Sequence, residues 1–235
     1  MNTYAERYNL KPAAAWLRGH SIKTGVPEID AELLEMPLEV LTDEELSSIV
    51  EMGEKTGQKL YPFKTGKSEL PRVRQVLGFL HGIEFNTLLD VGSGRGVFLL
   101  PFMEEFSQVQ VTSLDLLDKW VTFLNELAVG GYSQLTAHNK NICDQPFPDN
   151  SFDVVTLLEV LEHIPEVDKA VAAAVKIARK YVVVSVPSKE DDNPEHIHLL
   201  TKEILTKLFA DAGCAKLHFG GVNGHLILMV SIEGT

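Results

Sequence analysis

The stretch "TLLDVGSGRGVFLLPF", Thr87–Phe102, places Asp90 at the end of an apolar run and Gly92, Gly94 and Gly96 at alternate positions after it. Glycines there permit a tight turn and let a ligand approach the backbone closely. Such a turn suits a triphosphate, a dinucleotide or another adenosyl group. No Gly-Lys-Ser/Thr follows, which excludes the phosphate-cradling loop of nucleotide triphosphatases. The dinucleotide fingerprint needs a small residue three positions after its second glycine, and Val97 stands there. Asp115, in "VTSLDLLDKW", lies nineteen residues beyond Gly96, near the spacing of an acid that accepts from ribose hydroxyls. Capping of the helix that starts near Leu117 is its competing role.

A second group of reactive types follows. "LLEVLEHIP" concentrates Glu159, Glu162 and His163, with Glu159 and His163 at i,i+4 spacing if the segment is helical. "DDNPEHIHLL" adds His196 and His198. An imidazole titrates near neutral pH, so His163 could take a proton from a hydroxyl or amine. Glu159 would then orient a bound group. Capping of the turn into the next helix is the structural alternative for the whole stretch.

These groups need a frame that brings them to one rim. From Thr87 onward, strand patterns alternate with helix patterns. The strands are "TLLDVG", "VQVTSLDL", "SQLTAHNKNI", "FDVVTLLEV" and "YVVVSVP". The helices are "GVFLLPFMEEF" with Pro101 as a possible kink, "LDKWVTFLNELAV", "PEVDKAVAAAVKIARK" opened by Pro165, and "TKEILTKLFADAG" stopped by Gly213. "AKLHFGGVNGHLILMVSIE" then holds two strands with no helix between them. This order predicts a mostly parallel sheet covered on both faces and closed by an antiparallel hairpin. In such sheets ligands bind beyond the carboxyl ends of the strands, where strand order reverses.

Before the sheet, "LTDEELSSIVEMGEKTG" predicts a helix with a Thr42/Glu45 capping box. "KSELPRVRQVLGFLHG" predicts another, with Ser68 as N-cap, Val73, Val76, Leu77 and Leu80 inward and Gly82 at its end. Residues 1–84 read as a helical extension and 85–235 as the sheet domain. Tyr61, Phe63, Lys64 and Lys67 could line an acceptor pocket beneath such a lid, or lie on an exposed linker. Tyr4, Tyr8 and Trp16 read as packing residues.

The 235 residues carry 21 Lys and Arg against 33 Asp and Glu, a net charge of −12. That balance disfavours long nucleic acid as a partner. Two cysteines outside any CxxC pattern argue against a zinc site or disulfide framework and suit a reducing cytosol. Runs such as "HLILMVSI" are too short to span a bilayer, and no basic-then-apolar leader opens the chain, so a cytoplasmic location is expected.

Residues from about 85 to 230 resemble a class I S-adenosylmethionine-dependent methyltransferase of the type 11 kind. "LLDVGSGRG", "VTSLDLL", "NICDQPFPDNSFDVVTLLEVLEHIP" and "YVVVSVP…HIHLLTKEILTKLFADAG" carry the resemblance. It implies a Rossmann-like seven-stranded sheet and methyl transfer from S-adenosylmethionine, leaving S-adenosylhomocysteine (SAH), and is nearly silent about the acceptor; a small molecule reacting at oxygen or nitrogen is the expectation adopted. It also implies that Asp90 and the Gly92–Gly96 backbone hold the methionine end of the cofactor. Asp115 would take the ribose hydroxyls, Leu116 pack on adenine, and Ile142 and Cys143 meet the ring edge. Asp144 would accept from the adenine amine, an Asx-turn being its alternative. The Glu-x-x-Glu-His pattern with a later histidine also resembles small-RNA 3′-end ribose 2′-O-methyltransferases. By that resemblance Glu159, Glu162, His163 and His198 (or His196) would hold a magnesium ion. A partner protein that binds the cofactor without turnover is a third reading.

Overall fold

The computed structural model describes residues 4–65, 70–190 and 192–232. Five helices lead: α1 (Tyr4–Arg7), α2 (Leu10–Thr24), α3 (Ala31–Glu35), α4 (Asp43–Lys55) and α5 (Pro71–Leu80). The alternating region runs β1 (Thr87–Val91), α6 (Leu99–Glu105), β2 (Gln110–Asp115), α7 (Asp118–Val129), β3 (Leu135–Asn139), β4 (Phe152–Leu158), α8 (Val167–Ile177) and β5 (Ala178–Pro187). It ends with α9 (Lys202–Asp211), β6 (Lys216–Val222) and β7 (His225–Ser231).

The seven strands lie in the order β3-β2-β1-β4-β5-β7-β6, parallel from β3 to β5, with β7 antiparallel to both its neighbours. The expected sheet and closing hairpin are therefore present. β1 and β4 are near-continuous apolar runs because both faces of the sheet are covered. One apolar cluster joins the sheet to α2, α4, α5, α6 and α7, and the other joins it to α8 and α9. β1 and β4 pair with Val91 beside Leu157, so the loops that leave their carboxyl ends adjoin at the point where strand order reverses. No helix among the described residues is long and apolar enough to cross a membrane.

The Thr42 capping box forms as expected: the Thr42 hydroxyl accepts from Glu45 N–H, and the Glu45 carboxylate accepts from Thr42 N–H at 2.7 Å. Several boundaries differ. α6 begins only at Leu99, so Pro101 sits in its first turn, where no N–H partner is lost, and causes no kink. Pro165 precedes α8 by two residues, and "ARK" joins β5 rather than the helix. α5 starts on Pro71 with Leu70 before it; Ser68 lies outside the described residues.

α2 carries no clear helical signal in the sequence. It is a 15-residue helix buried over most of its circumference, including Ala13, Ala14, Ala15 and Leu17. A helix covered on several sides shows no single apolar stripe. Its partner is α7. A Cβ on Gly130 would stand 1.7 Å from Ala15 O, and one on Gly19 1.8 Å from Glu126 O, so the backbones touch through glycine. Trp16 Nε1 donates to the buried Glu126 carboxylate at 2.9 Å.

Candidate functional site

β1 delivers Asp90 to the crevice, and Thr156, its neighbour on β4, donates to Asp90 Oδ1 at 2.6 Å. The aspartate is 3% exposed. Burial pushes its carboxyl up to about 6, against the Thr156 hydrogen bond that lowers it. The glycine turn follows in left-handed backbone, with φ of 69° at Gly92 and 54° at Gly94. A Cβ on Gly92 would meet Val160 Cγ2 at 2.6 Å, whereas one on Gly94 would meet nothing closer than 4.0 Å. Gly92 is thus demanded by packing, and Gly94 leaves room for a ligand against the backbone.

Asp115 ends β2 and fastens this turn. Its Oδ2 accepts from Gly94 N–H at 2.9 Å and its Oδ1 from Leu117 N–H at 2.8 Å. The carboxylate therefore does cap the start of α7, and it also lines the crevice with lone pairs left over.

Two cavities open here and meet at Gly92 and Glu159. The larger, about 510 Å³, is bounded by Asp115, Leu116, Asn141, Ile142, Cys143 and His163. The smaller, about 230 Å³, is bounded by Arg72, Val76, Asp90, Arg95, Trp120 and Ser185. Leu116 is 62% exposed and forms part of the larger cavity's rim.

Glu159 has left-handed backbone, φ 59°, unusual for a non-glycine residue. Its Oε1 accepts from Ser185 Oγ at 2.7 Å, and its Oε2 lies 3.0 Å from His225 Nδ1. The helical spacing with His163 is not realised, because a single turn over Leu161–His163 follows that left-handed residue. His163 Nδ1 instead meets Glu195 O at 2.9 Å. A carbonyl only accepts, so Nδ1 is the donor in this contact.

His198 turns away, with Nε2 donating to Ile164 O at 3.0 Å, and bounds neither cavity. The four-residue cation set is accordingly not assembled. What does converge is Glu162, His163 and His196, whose ligand atoms lie within 4.8 Å of one another.

Asp144 departs from its expected place. It is exposed and outside both cavities, while Asn141 bounds the larger one and accepts from Cys143 N–H at 3.0 Å. The turn over Ile142–Asp144 rotates Asp144 outward. Phe63 is fully buried against Trp16 and Phe123 and walls no pocket. Tyr61 and Lys64 stay near the surface, and Lys67 lies outside the described residues. Sequence reasoning missed Arg72, Trp120, Asn141, Ser185 and His225. Only Arg95 had a visible flag, its place inside the glycine turn.

Comparison with known proteins agrees with this geometry. A family profile described as "Methyltransferase domain" matches residues 89–184. The chain is 57% identical over 42 residues to ribosomal RNA small subunit methyltransferase G of Levilactobacillus brevis, covering 18% of this chain and 17% of that protein. It is 26% identical over 145 residues to 27-O-demethylrifamycin SV methyltransferase of Amycolatopsis mediterranei, covering 57% and 53%. The chain thus spans about half or less of these curated relatives. In fold it matches magnesium protoporphyrin IX methyltransferase from Synechocystis PCC 6803 with bound SAH, at 18% identity and TM-score 0.56, over 68% of this chain and 81% of that one.

The site also passes a test of fit for the cofactor: open space over Gly94, a fastened Asp115 at the rim and an apolar slot beside Ile142 suit a nucleoside with a charged tail. Residues 89–184 match the methyltransferase-domain family, and the seven-stranded sheet that holds them has the fold of the class I S-adenosylmethionine-dependent methyltransferases.

Proposed function

We propose that the protein transfers a methyl group from S-adenosylmethionine to an oxygen or nitrogen of a small molecule. The observation that carries this reading is the meeting of a nucleoside-sized cavity and a smaller, partly apolar one at Gly92 and Glu159. When bound, the cofactor supplies an electrophilic methyl on a positive sulfur. Asp90 and the glycine turn would hold its methionine end, and Asp115 its ribose hydroxyls. Leu116, Ile142 and Cys143 would pack on the adenine, with Asn141 in the part first expected of Asp144.

The smaller cavity would take the methionine end along Asp90 and the glycine turn, and the acceptor would meet the methyl group where the two cavities join at Glu159, where the protein's work is alignment and exclusion of water. Glu159, fixed by Ser185, borders both cavities and is placed to orient the acceptor or take its proton. His163 borders only the larger cavity and would act on a proton there. An acceptor that reacts at oxygen is in keeping with the name of the similar 27-O-demethylrifamycin SV methyltransferase. Residues 1–84 contribute Arg72, Val73 and Val76 to the smaller cavity, which supports a role beside the methionine end.

The test is transfer of labelled methyl from the cofactor to a panel of small hydroxyl and amine compounds. Tight cofactor binding with no transfer to any of them would favour a non-catalytic partner protein.

A second reading has its own observation. The convergence of Glu162, His163 and His196 offers a carboxylate and two imidazoles to a divalent cation beside the larger cavity. That supports cation-assisted methylation of an RNA 3′-terminal ribose. Transfer to short RNA that requires magnesium or manganese, and stops with chelator, would select it.

A further inference from the structure

Glu159, which borders both cavities, is approached at each of its carboxylate oxygens. Its N–H donates to Ser185 O at 2.9 Å, and Ser185 Oγ donates to its Oε1 at 2.7 Å. Ser185 is buried near the carboxyl end of β5 and borders the smaller cavity. The other oxygen, Oε2, turns to His225, whose Nδ1 lies 3.0 Å away. His225 opens β7 opposite Pro187 of β5 and borders neither cavity. It stands behind Glu159 as seen from the crevice.

The His225 ring has two unlike sides. Nδ1 is buried, and among the described residues no hydrogen bond reaches it: Glu159 Oε2 is at ion-pair distance but off hydrogen-bond alignment. The side chain as a whole is 26% exposed, so its open edge lies away from Nδ1. A ring nitrogen buried without a hydrogen bond costs free energy. With Nδ1 unprotonated, a proton arriving at Glu159 supplies what is missing, because a protonated carboxyl is a donor. His163 and His198 are committed elsewhere, to Glu195 O and Ile164 O.

We propose that His225 is a positioning residue that draws the acceptor's proton out of the crevice through Glu159. The inference rests on the methyltransferase reading, with the acceptor meeting the methyl group at Glu159. The acceptor's lone pair forms the new bond to the methyl carbon, and the carbon–sulfur bond breaks with its electrons left on sulfur. The proton of the acceptor's oxygen or nitrogen passes to the Glu159 carboxylate, and from Oε2 to His225 Nδ1. One proton leaves Nε2 to water, so both side chains end with the charge they began with. Ser185 fixes Oε1 throughout, which keeps Oε2 towards the ring.

Two arms test this, and thermal melts confirm that each variant is folded. In the first, 15N NMR follows the imidazoles with and without SAH, the His225 signals being assigned by their loss in His225→Ala. Glu159→Gln should shift the His225 Nδ1 signal and leave those of His163 in place. An unmoved His225 signal would overturn the inference.

The second arm measures transfer of labelled methyl to a panel of hydroxyl and amine compounds led by catechol and benzylamine. His225→Ala should lower kcat about tenfold or more, with acceptor KM and SAH affinity changed by no more than about twofold. Added imidazole should restore part of the loss, which a merely structural role would not allow. Unchanged kcat, a loss confined to KM, or no rescue by imidazole would each overturn the proton route. A wild type that binds SAH yet labels no compound removes the methyltransferase reading instead, and the first arm still decides whether His225 and Glu159 are paired.

Discussion

Asp90 is where folding and ligand binding make opposite demands, and Asp90→Asn separates them. The carboxyl rises from 3.8 to about 6 because burial penalises its charge, and hydrogen bonds from Thr156 and Ser93 do not compensate. That rise corresponds to roughly 3 kcal/mol. The sign follows from linkage. The folded protein holds a proton on Asp90 that the unfolded chain releases above pH 4, so stability falls as pH rises from about 4 to about 6 and then levels. Asparagine imitates the protonated acid, and its Oδ1 can still accept from Thr156.

The variant should therefore be about 2–3 kcal/mol more stable than wild type above pH 6, a gain in melting temperature of roughly 5–10 °C, and about equal to it near pH 4. Cofactor affinity should move the other way. The cofactor's positive tail needs the ionised form, so wild-type affinity should weaken about tenfold per unit of pH below 6, while Asp90→Asn binds poorly without that pH dependence. Melting curves and calorimetry at pH 4.5, 6 and 7.5 test both halves. A variant less stable than wild type at pH 7.5, or a stability difference that does not change with pH, refutes the reasoning.

Further substitutions probe other parts. Asp115→Ala removes the fastening of Gly94 as well as the proposed ribose acceptor, and calorimetry should show cofactor affinity lowered by about tenfold to a hundredfold; equal affinity would remove Asp115 from the site. Asp153 mirrors Asp90 at the other end of the sheet: burial raises its carboxyl, but donation from Asn86 N–H, together with Arg179 and Lys180, outweighs this and holds it below the usual range. Its contribution is present above the ordinary aspartate pKa and lost as pH falls through the lowered one. Asp153→Asn should cost about 2 kcal/mol at pH 7 and nothing in strong acid, read by urea unfolding at both pH values. Gly130→Ala puts a methyl 1.7 Å from Ala15 O and must push α2 off α7, lowering stability by about 3 kcal/mol in melting experiments. A near-unchanged melting temperature would mean that the helices do not touch there.

Much of this protein is legible in the chain because the interactions involved are local. The strand–helix alternation after Thr87, the capping box of Thr42 and Glu45, and the turn of Gly92, Gly94 and Gly96 each follow from residue spacing and backbone preference. The same holds for Asp90 and Asp115, because a residue at the carboxyl end of a parallel strand reaches the crevice whatever its neighbours are. α2 was hidden because contact on several sides replaces an apolar stripe with alanines and glycines.

Orientation beyond the strand ends needed the tertiary structure. Asp144 and Asn141 are three residues apart in one turn, and only its rotation decides which faces the cavity. Glu159 and His163 part because a left-handed residue breaks the helical path, sending one side chain to Ser185 and the other to Glu195. Arg72 and Arg95 come from separate elements, and their shared cavity exists only once α5 packs over the glycine turn. The sequence by itself determined the sheet and the cofactor's turn, through short-range spacing. Which side chains wall the smaller cavity was decided by long-range packing, because that wall is assembled from segments with no local relation to one another.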